Sequence, residues 1–413
     1  MKKLLTAVTL LISGSLLISG SLWAQSPAKL ADWQPGYLDI HHINTGKGES
    51  SFFVFPDGTT MLLDAGAAGS VKPWATDPKP NDSQSPGAWI ADYIKPLLQQ
   101  TRNEKVDYFV LSHFHWDHMG NTTDATPFNK SREFQLTGIS EVGDLVPFAK
   151  IIDRGYPHYN WPVPQDAKNT VNYINFVQSK IKSDRIEAEQ IRVGAKDQVR
   201  LMHQPAQYPA FQVRNIAANG VIWTGIDTIS RSHIPAVKDL DGVVPPENKL
   251  SIAFKISYGR FDYFTGADLD VRDFEMAGPL EYWRDMETPV SLVTGPVEAI
   301  KANHHGNYDA NSVPFLRNLS PRVIVIPTWG ASQPAMSVYR RMISKKTYPG
   351  PRDIFVTNIM EETRTTFDVS ALKSDQGHVL IRVYPNSEYE VLVLDDDRPG
   401  QFVKKRFGPY QSQ

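Results

Sequence analysis

The sequence predicts an α/β protein of the αββα type, a four-layer sandwich with two mixed β-sheets face to face and helices outside. Three observations lead there. Strand-like and helix-like segments interleave in both halves of the chain, and each half opens on strands suited to antiparallel pairing. Val106 to Leu111 is an almost unbroken apolar run, as expected of a strand buried on both faces. That run leads directly into His113-Phe114-His115-Trp116-Asp117-His118, a cluster of polar side chains placed where a strand ends.

Taken in order, Tyr37 to Ile40 reads as a strand, followed by the glycine turn Gly46-Lys47-Gly48-Glu49-Ser50. Ser51 to Phe55, the turn Pro56-Asp57-Gly58 and Thr60 to Asp64 make a hairpin that ends on an acidic residue. Val71 to Ala88 is a Pro-, Asp- and Ser-rich loop. Trp89, Ile90, Tyr93, Ile94, Leu97 and Leu98 have helical spacing, with Pro96 set to kink or shorten the helix. Ser140 to Asn169 reads as irregular and aromatic-rich, and Asn172 to Ile181 as a helix. A second strand-rich half starts near Ile191 and includes Val221 to Trp223, Leu250 to Ile256, Phe261 to Phe264 and Val323 to Ile326. His378 to Leu394 alternates like a β-hairpin.

The bulk numbers narrow the function. The chain of 413 residues is 41% hydrophobic and 21% charged, an ordinary globular balance. No composition shift marks a boundary, so residues 25–413 read as a single domain with a C-terminal β-hairpin extension. A net charge of -2 offers no general attraction to nucleic acid or anionic lipid, which argues against long nucleic acid as a partner. There is no cysteine. Any metal must therefore be held by His, Asp, Glu or Asn, a donor set that suits zinc, manganese or iron.

The start of the chain reads as an export signal. Lys2 and Lys3 precede an apolar run from Leu4 to Trp23, and Ala24 stands before Gln25-Ser26-Pro27. Residues 1–24 are expected to be a cleaved secretory signal peptide, with an uncleaved anchor as the alternative. Cleavage implies a periplasmic or extracellular bacterial protein with no stable membrane insertion.

His113 and His115 lie two apart, so they point the same way on an extended segment. Asp117 and His118 follow as the chain turns. Four ligand-type side chains within six residues would each need a partner in a core, whereas a metal satisfies them together. This stretch resembles the signature of the metallo-β-lactamase superfamily. The resemblance implies a metallo-β-lactamase-like fold, zinc as the cofactor in two divalent sites, and hydrolysis by a metal-bound hydroxide. It implies that His113 and His115 hold one metal and that Asp117 and His118 hold the second. Asp64, in Leu62-Leu63-Asp64-Ala65-Gly66, matches the residue that supports the metal-binding loop. Asp268, in Thr265-Gly266-Ala267-Asp268, matches the carboxylate that bridges both metals. His304, in Asn303-His304-His305-Gly306, matches the last metal ligand, and His305 then either supports a ligand from behind or faces substrate. Asp117 and Asp268 are the expected catalytic residues, orienting water, with Asp117 shuttling the proton.

One element departs from that pattern. The superfamily usually supplies a further His about twenty residues before the bridging Asp, but Glu247-Asn248-Lys249-Leu250-Ser251 stands there. Asn248 is the expected stand-in, as ligand or substrate contact, and His233 is a weaker candidate. The order GxGxS, Leu62 to Gly66, HxHxDH, Asn248-x-x-Ser251, Asp268 and His304-His305-Gly306 is similar to the soluble hydrolase domain of the competence protein ComEC, over roughly Tyr37 to Trp329. Lys47, Glu49, the added Ala267 and Asn307 differ from that family's text. The similarity implies a phosphodiester or related short ester as substrate. A lactone, β-lactam or carboxylic ester is the alternative, and a metal-binding interaction protein without turnover is a further one. Arg154, in Asp153-Arg154-Gly155-Tyr156-Pro157, is assigned to substrate, receiving a phosphate; the other reading of that stretch is a structural turn with a buried ion pair. Trp116 reads as a pocket wall.

Overall fold

The computed structural model describes residues 28–69, 74–271 and 281–413. The expected leader, residues 1–24, lies outside them, as does the start of the 71–88 loop. Among the described residues no helix is long and apolar enough to cross a membrane.

The chain first lays down β1 (Leu38–His42), β2 (Ser51–Val54), β3 (Thr60–Leu63), β4 (Val106–Val110), β5 (Phe148–Asp153) and β6 (Glu187–Gln190). A second group follows: β7 (Phe211–Ala218), β8 (Val221–Trp223), β9 (Ser230–Ser232), β10 (Ala253–Tyr258), β11 (Phe261–Thr265), β12 (Ala299–Lys301), β13 (Val323–Ile326), β14 (Asp353–Val356) and β15 (Leu372–Ser374). The chain then returns with β16 (His378–Val383), β17 (Glu388–Leu394) and β18 (Val403–Gln411). Two nine-stranded sheets result, β18-β17-β16-β1-β2-β3-β4-β5-β6 and β15-β14-β13-β12-β11-β10-β7-β8-β9. In both, pairing is antiparallel on one side and parallel from β3 or β11 onwards.

Parallel neighbours need crossovers, and most contain a helix. α1 (Pro86–Thr101) joins β3 to β4, and the single turn α2 (Trp116–Met119) with α3 (Gly138–Leu145) joins β4 to β5. α4 (Lys168–Asp184), α5 (Glu287–Thr294), α6 (Val313–Leu319), α7 (Met336–Ile343) and α8 (Glu361–Thr366) serve the later ones. The strands' period of two divides the core. Leu38, Ile40, Phe53, Met61, Leu63 and Val110 meet Phe254, Ile256, Val323 and Val325 between the sheets. Phe52, Leu62 and Phe109 face Ile90, Ile94, Val142 and Phe176 of the helices. Ile300, Ile324 and Ile326 face Val290, Phe315 and Met342 on the opposite side. The αββα architecture follows directly from these three layers of burial.

Three expectations change. The segment read as irregular, residues 140–169, contains most of α3 and all of β5. α3 hides because it is short and is set by a capping box between Thr137 and Ser140. β5 hides because Lys150 interrupts its apolar text; that side chain reaches Glu187 and Glu189 at 3.1 and 2.7 Å. The second sheet begins at Phe211, since the strand ending before Ile191 is the charged edge strand β6 of the first sheet. α1 continues through Pro96, with Ile90, Ile94, Leu97 and Leu98 buried on one face. That packing offsets the roughly 3 kcal/mol an interior proline costs. The hairpin β16–β17 pairs Val379 with Val393 and Ile381 with Val391, and it is stitched onto β1, so it is an integral part of the first sheet.

Two buried histidines set an acid limit on this fold. His378 Nδ1 accepts from the Asn44 backbone N–H at 2.9 Å. Burial pushes its pKa down to about 3, and burial with the nearby Lys301 charge does the same for His42. Unfolded, each takes a proton near pH 6.5. Between that pH and about 3 the unfolded chain binds more protons, so stability is lost as pH falls through this window. The urea midpoint is expected to drop across it, and His378→Gln to flatten the drop. An unchanged slope in that variant would remove His378 from the account.

Candidate metal centre

The site lies where the parallel strands of both sheets end. Asp64 follows β3 at φ 60°, a left-handed conformation that Asp tolerates better than most residues. Its Oδ1 accepts from Ser112 N at 2.7 Å, and its Oδ2 from Ser112 Oγ at 2.6 Å and His118 Nδ1 at 2.8 Å. The ends of β3 and β4 are thereby tied together. With Nδ1 of His118 committed, its Nε2 is turned towards Asp268. The single turn α2 brings Asp117 and His118 round beside His113, and the His113 and His118 rings lie 4.2 Å apart.

The second sheet supplies the rest. Asp268 follows β11 after Ala267 (φ 46°), and His304 (φ 45°) and His305 (φ 52°) follow β12. With Asp64, four non-glycine residues at the site hold positive φ, each at a cost of about 1–3 kcal/mol. Such strain persists only where neighbours enforce it. Ala267 O accepts from His304 N at 3.0 Å and from Lys301 Nζ at 2.6 Å. A Cβ on Gly266 would stand 2.7 Å from Asn303 Oδ1, so a larger residue there would displace the Asn303 side chain.

Asp268 Oδ2 is the centre of the arrangement. It lies 3.1 Å from His118 Nε2, 3.4 Å from His305 Nε2, 3.8 Å from His113 Nε2 and 3.9 Å from His304 Nε2. Asp117 Oδ2 is 3.1 Å from His305 Nε2, and His113 Nε2 faces His115 Nδ1 at 3.1 Å. Glu49, His118, Asp268 and His305 each offer one ligand atom, all within 4.8 Å of one another. Asp268 Oδ1 and Asn248 Oδ1 are buried without a hydrogen-bond partner. Nitrogen and oxygen ligand atoms gathered this closely fit a divalent cation.

The electrostatics divide the site. Burial disfavours charge on every member. Asp268 and the other carboxylates override this at His118, held well above the usual range, and at His305, held at about 9. Burial would raise Asp268 and Asp117, but His118 and His305 pull both below the ordinary carboxylate range. His113 and His115 are pushed down, by burial first. Without metal, one half is therefore an ion cluster, and the His113/His115 half is neutral with lone pairs ready for a cation.

Seven of the predicted residues come together here: His113, His115, Asp117, His118, Asp268, His304 and His305. The two candidates for the last ligand, His304 and His305, sit differently. His305 is fully buried between Asp117 and Asp268, its Nδ1 fixed by Pro327 O at 2.9 Å. His304 is 20% exposed at the rim, its Nδ1 bonded to Asp309 at 2.9 Å. The two consecutive left-handed residues cause this, turning the second ring inward and the first outward. Asn248 lies beside His304, its Nδ2 3.3 Å from Nε2.

Arg154 is not available to substrate. Its five N–H groups go to both oxygens of Glu247, to Trp161 O, to Asn219 Oδ1 and to Gln165 Oε1. Its side chain is fully buried over the Phe114 ring. The other reading of that stretch, a structural turn with a buried ion pair, describes what the residue does. His233 is held by Tyr282 O and Asp285 O and takes no part. Trp116 packs edge-on against Trp329, which in turn flanks His305.

Sequence reasoning passed over Glu49 and Lys301. Both are completely buried, and they pair at 2.7 Å across the seam between the sheets. A lone lysine in Ala299-Ile300-Lys301-Ala302, text that otherwise reads as a buried strand, was the available signal.

No family model matches the chain, and no curated protein matches it. Among solved structures it is similar to the metallo-β-lactamase fold protein YhfI from Bacillus subtilis, with 13% identity over 77% of this chain and 96% of that one and a TM-score of 0.36. It is also similar to zinc-bound PqqB from Methylobacterium extorquens, at 11% identity over 70% and 88% of the two chains and a TM-score of 0.33. A diphosphatase of the PhnP family gives 11% identity, 70% and 85% coverage and a TM-score of 0.29. Likeness at this level decides nothing about chemistry, which is left to the residues themselves.

Proposed function

We propose that this protein is an exported, metal-dependent hydrolase of the metallo-β-lactamase superfamily, acting on a phosphodiester or related short ester. The observation that carries the reading is Asp268 Oδ2, ringed by His113, His118, His304 and His305 within 3.9 Å. His113, His115 and Asn248 would hold one divalent cation and Asp117, His118 and His305 a second, with Asp268 between them. Bound there, zinc or a similar ion would polarise the ester and activate water.

The chain's own groups supply the rest. Asp117 Oδ2, facing the site, orients water and receives its proton. His304 stands at the rim with Asp309 behind it. Burial lowers its pKa, but Asp268 and Asp309 raise it by more, and the ring is placed to give a proton to the leaving oxygen. Asn248 Oδ1, buried and without a partner, takes the place of the family's missing His. The ComEC-like motif order favours phosphorus over carbon as the reacting centre.

The test is a panel on metal-replete protein: bis(p-nitrophenyl) phosphate, an acyl homoserine lactone, nitrocefin and p-nitrophenyl acetate. The phosphodiester is expected to give the highest kcat/KM. Preference for the lactone or β-lactam would move the reading to carboxylic esters, and two bound metals without turnover of any would move it to a binding protein. Asn248→Ala is expected to weaken metal or substrate binding by about tenfold or more, and Asn248→His less so. Wild-type constants in both would take Asn248 out of the site.

A further inference from the structure

The bridging carboxylate has two unlike faces. Oδ2 of Asp268 meets four histidine nitrogens. Oδ1 is buried without a hydrogen bond and faces Lys301 Nζ at 3.7 Å. Lys301 leaves from the end of β12, and Nζ donates to Glu49 Oε2 at 2.7 Å and to Ala267 O at 2.6 Å. Lys301, Glu49 and Asp268 are all essentially inaccessible to solvent. Glu49 comes from the turn before β2, in the other sheet, and its Oε2 also lies 3.6 Å from His305 Nδ1. Its backbone N–H donates to Asp117 O at 2.8 Å. One ammonium thus touches the backbone preceding Asp268 and the free oxygen of Asp268. It also touches an acid that borders both His305 and the Asp117 turn.

A buried ion pair is costly to form unless its geometry is fixed and its remaining charge is used. Here the ammonium stands beside a carboxylate whose two oxygens would otherwise be interchangeable by rotation about the Cβ–Cγ bond. We infer that Lys301, held by Glu49, is a positioning residue that locks the Asp268 carboxylate so that Oδ2 alone is presented to the histidines. The inference rests on the hydrolase reading of the site. It adds that a lysine chooses which oxygen of Asp268 faces the histidines.

Three variants test it: Lys301→Met, Lys301→Arg and Glu49→Gln, each loaded with Mn(II) and followed by EPR, metal analysis and steady-state kinetics. Wild type is expected to bind two Mn(II) with a spin-coupled spectrum. If wild type binds no metal, the hydrolase reading itself falls. Lys301→Met is expected to weaken the second equivalent by about 10–100-fold, the range for partners lying behind a ligand, and to lose the coupled signal. kcat should fall with little change in KM. Lys301→Arg restores charge and is expected to recover part of the coupling, which a filler of space would not do. Glu49→Gln should fall between them. A wild-type coupled spectrum in Lys301→Met overturns the inference while leaving the hydrolase reading intact. If Lys301→Met does not fold, an unaltered spectrum in both Lys301→Arg and Glu49→Gln overturns it equally.

Discussion

Asp268→Ala is expected to lower hydrolysis by about a thousandfold or more, well beyond the 10–100-fold that loss of a supporting partner costs, and to strip bound metal. The reason is geometric. Asp268 Oδ2 lies within 3.9 Å of four ring nitrogens, two from the 113–118 turn and two from the 304–305 turn, whereas Asp117 Oδ2 reaches one from each. Without it, His118 and His305 lose the charge that holds their pKa values up, and the two halves lose their shared acceptor. The fold itself should persist, since the apolar layers do not depend on this residue. The measurements are kcat/KM, metal content and a thermal melt on one preparation. Full activity with full metal content would remove Asp268 from the centre.

Arg154→Ala is expected to cost stability before it costs chemistry, by about 3–5 kcal/mol, the usual consequence of removing one partner of a buried ion pair. Glu247 would keep its charge with only the Phe114 N–H, 2.7 Å from Oε1, to meet it. That hydrogen bond places Glu247 between two functional elements, because Phe114 lies inside the histidine motif and Asn248 is the next residue along. The pair therefore fixes the distance between the His113/His115 turn and Asn248. A large drop in the urea midpoint, with activity falling as the turn loosens, supports this. A raised KM at wild-type stability would restore Arg154 to the substrate role that the sequence alone suggested.

The comparison of sequence with structure separates two kinds of legibility. Val106 to Leu111 and Val323 to Ile326 could be read because their burial on both faces writes itself as continuous apolar text. β5 and β6 could not, since the edge strand β6 tolerates Glu187 and Glu189, β5 beside it carries Lys150 to pair with them, and those residues mask the strand period. At the site, the short-range cluster His113 to His118 was legible from spacing alone. The choice between His304 and His305 was not, because it turns on two successive left-handed residues that nothing in the letters announces. Arg154 illustrates the same limit. Its residue type fits either anion capture or an ion pair, and only the location of Glu247, 93 residues further on, decides between them.

The placement of the centre on the seam has a consequence for how the protein matures. Asp117 and His305 meet across 188 residues of chain, and Glu49 and Lys301 across 252. Contacts of such high sequence separation form late, after the loops between them have been closed. The first sheet alone carries His113, His115, Asp117 and His118 but lacks the acceptor that joins them. A ribosome must deliver nearly three quarters of the chain, by the residue numbers, before the ligand set exists. On the proposed reading, metallation would be an end point of folding, and a filled centre would certify that both sheets have docked.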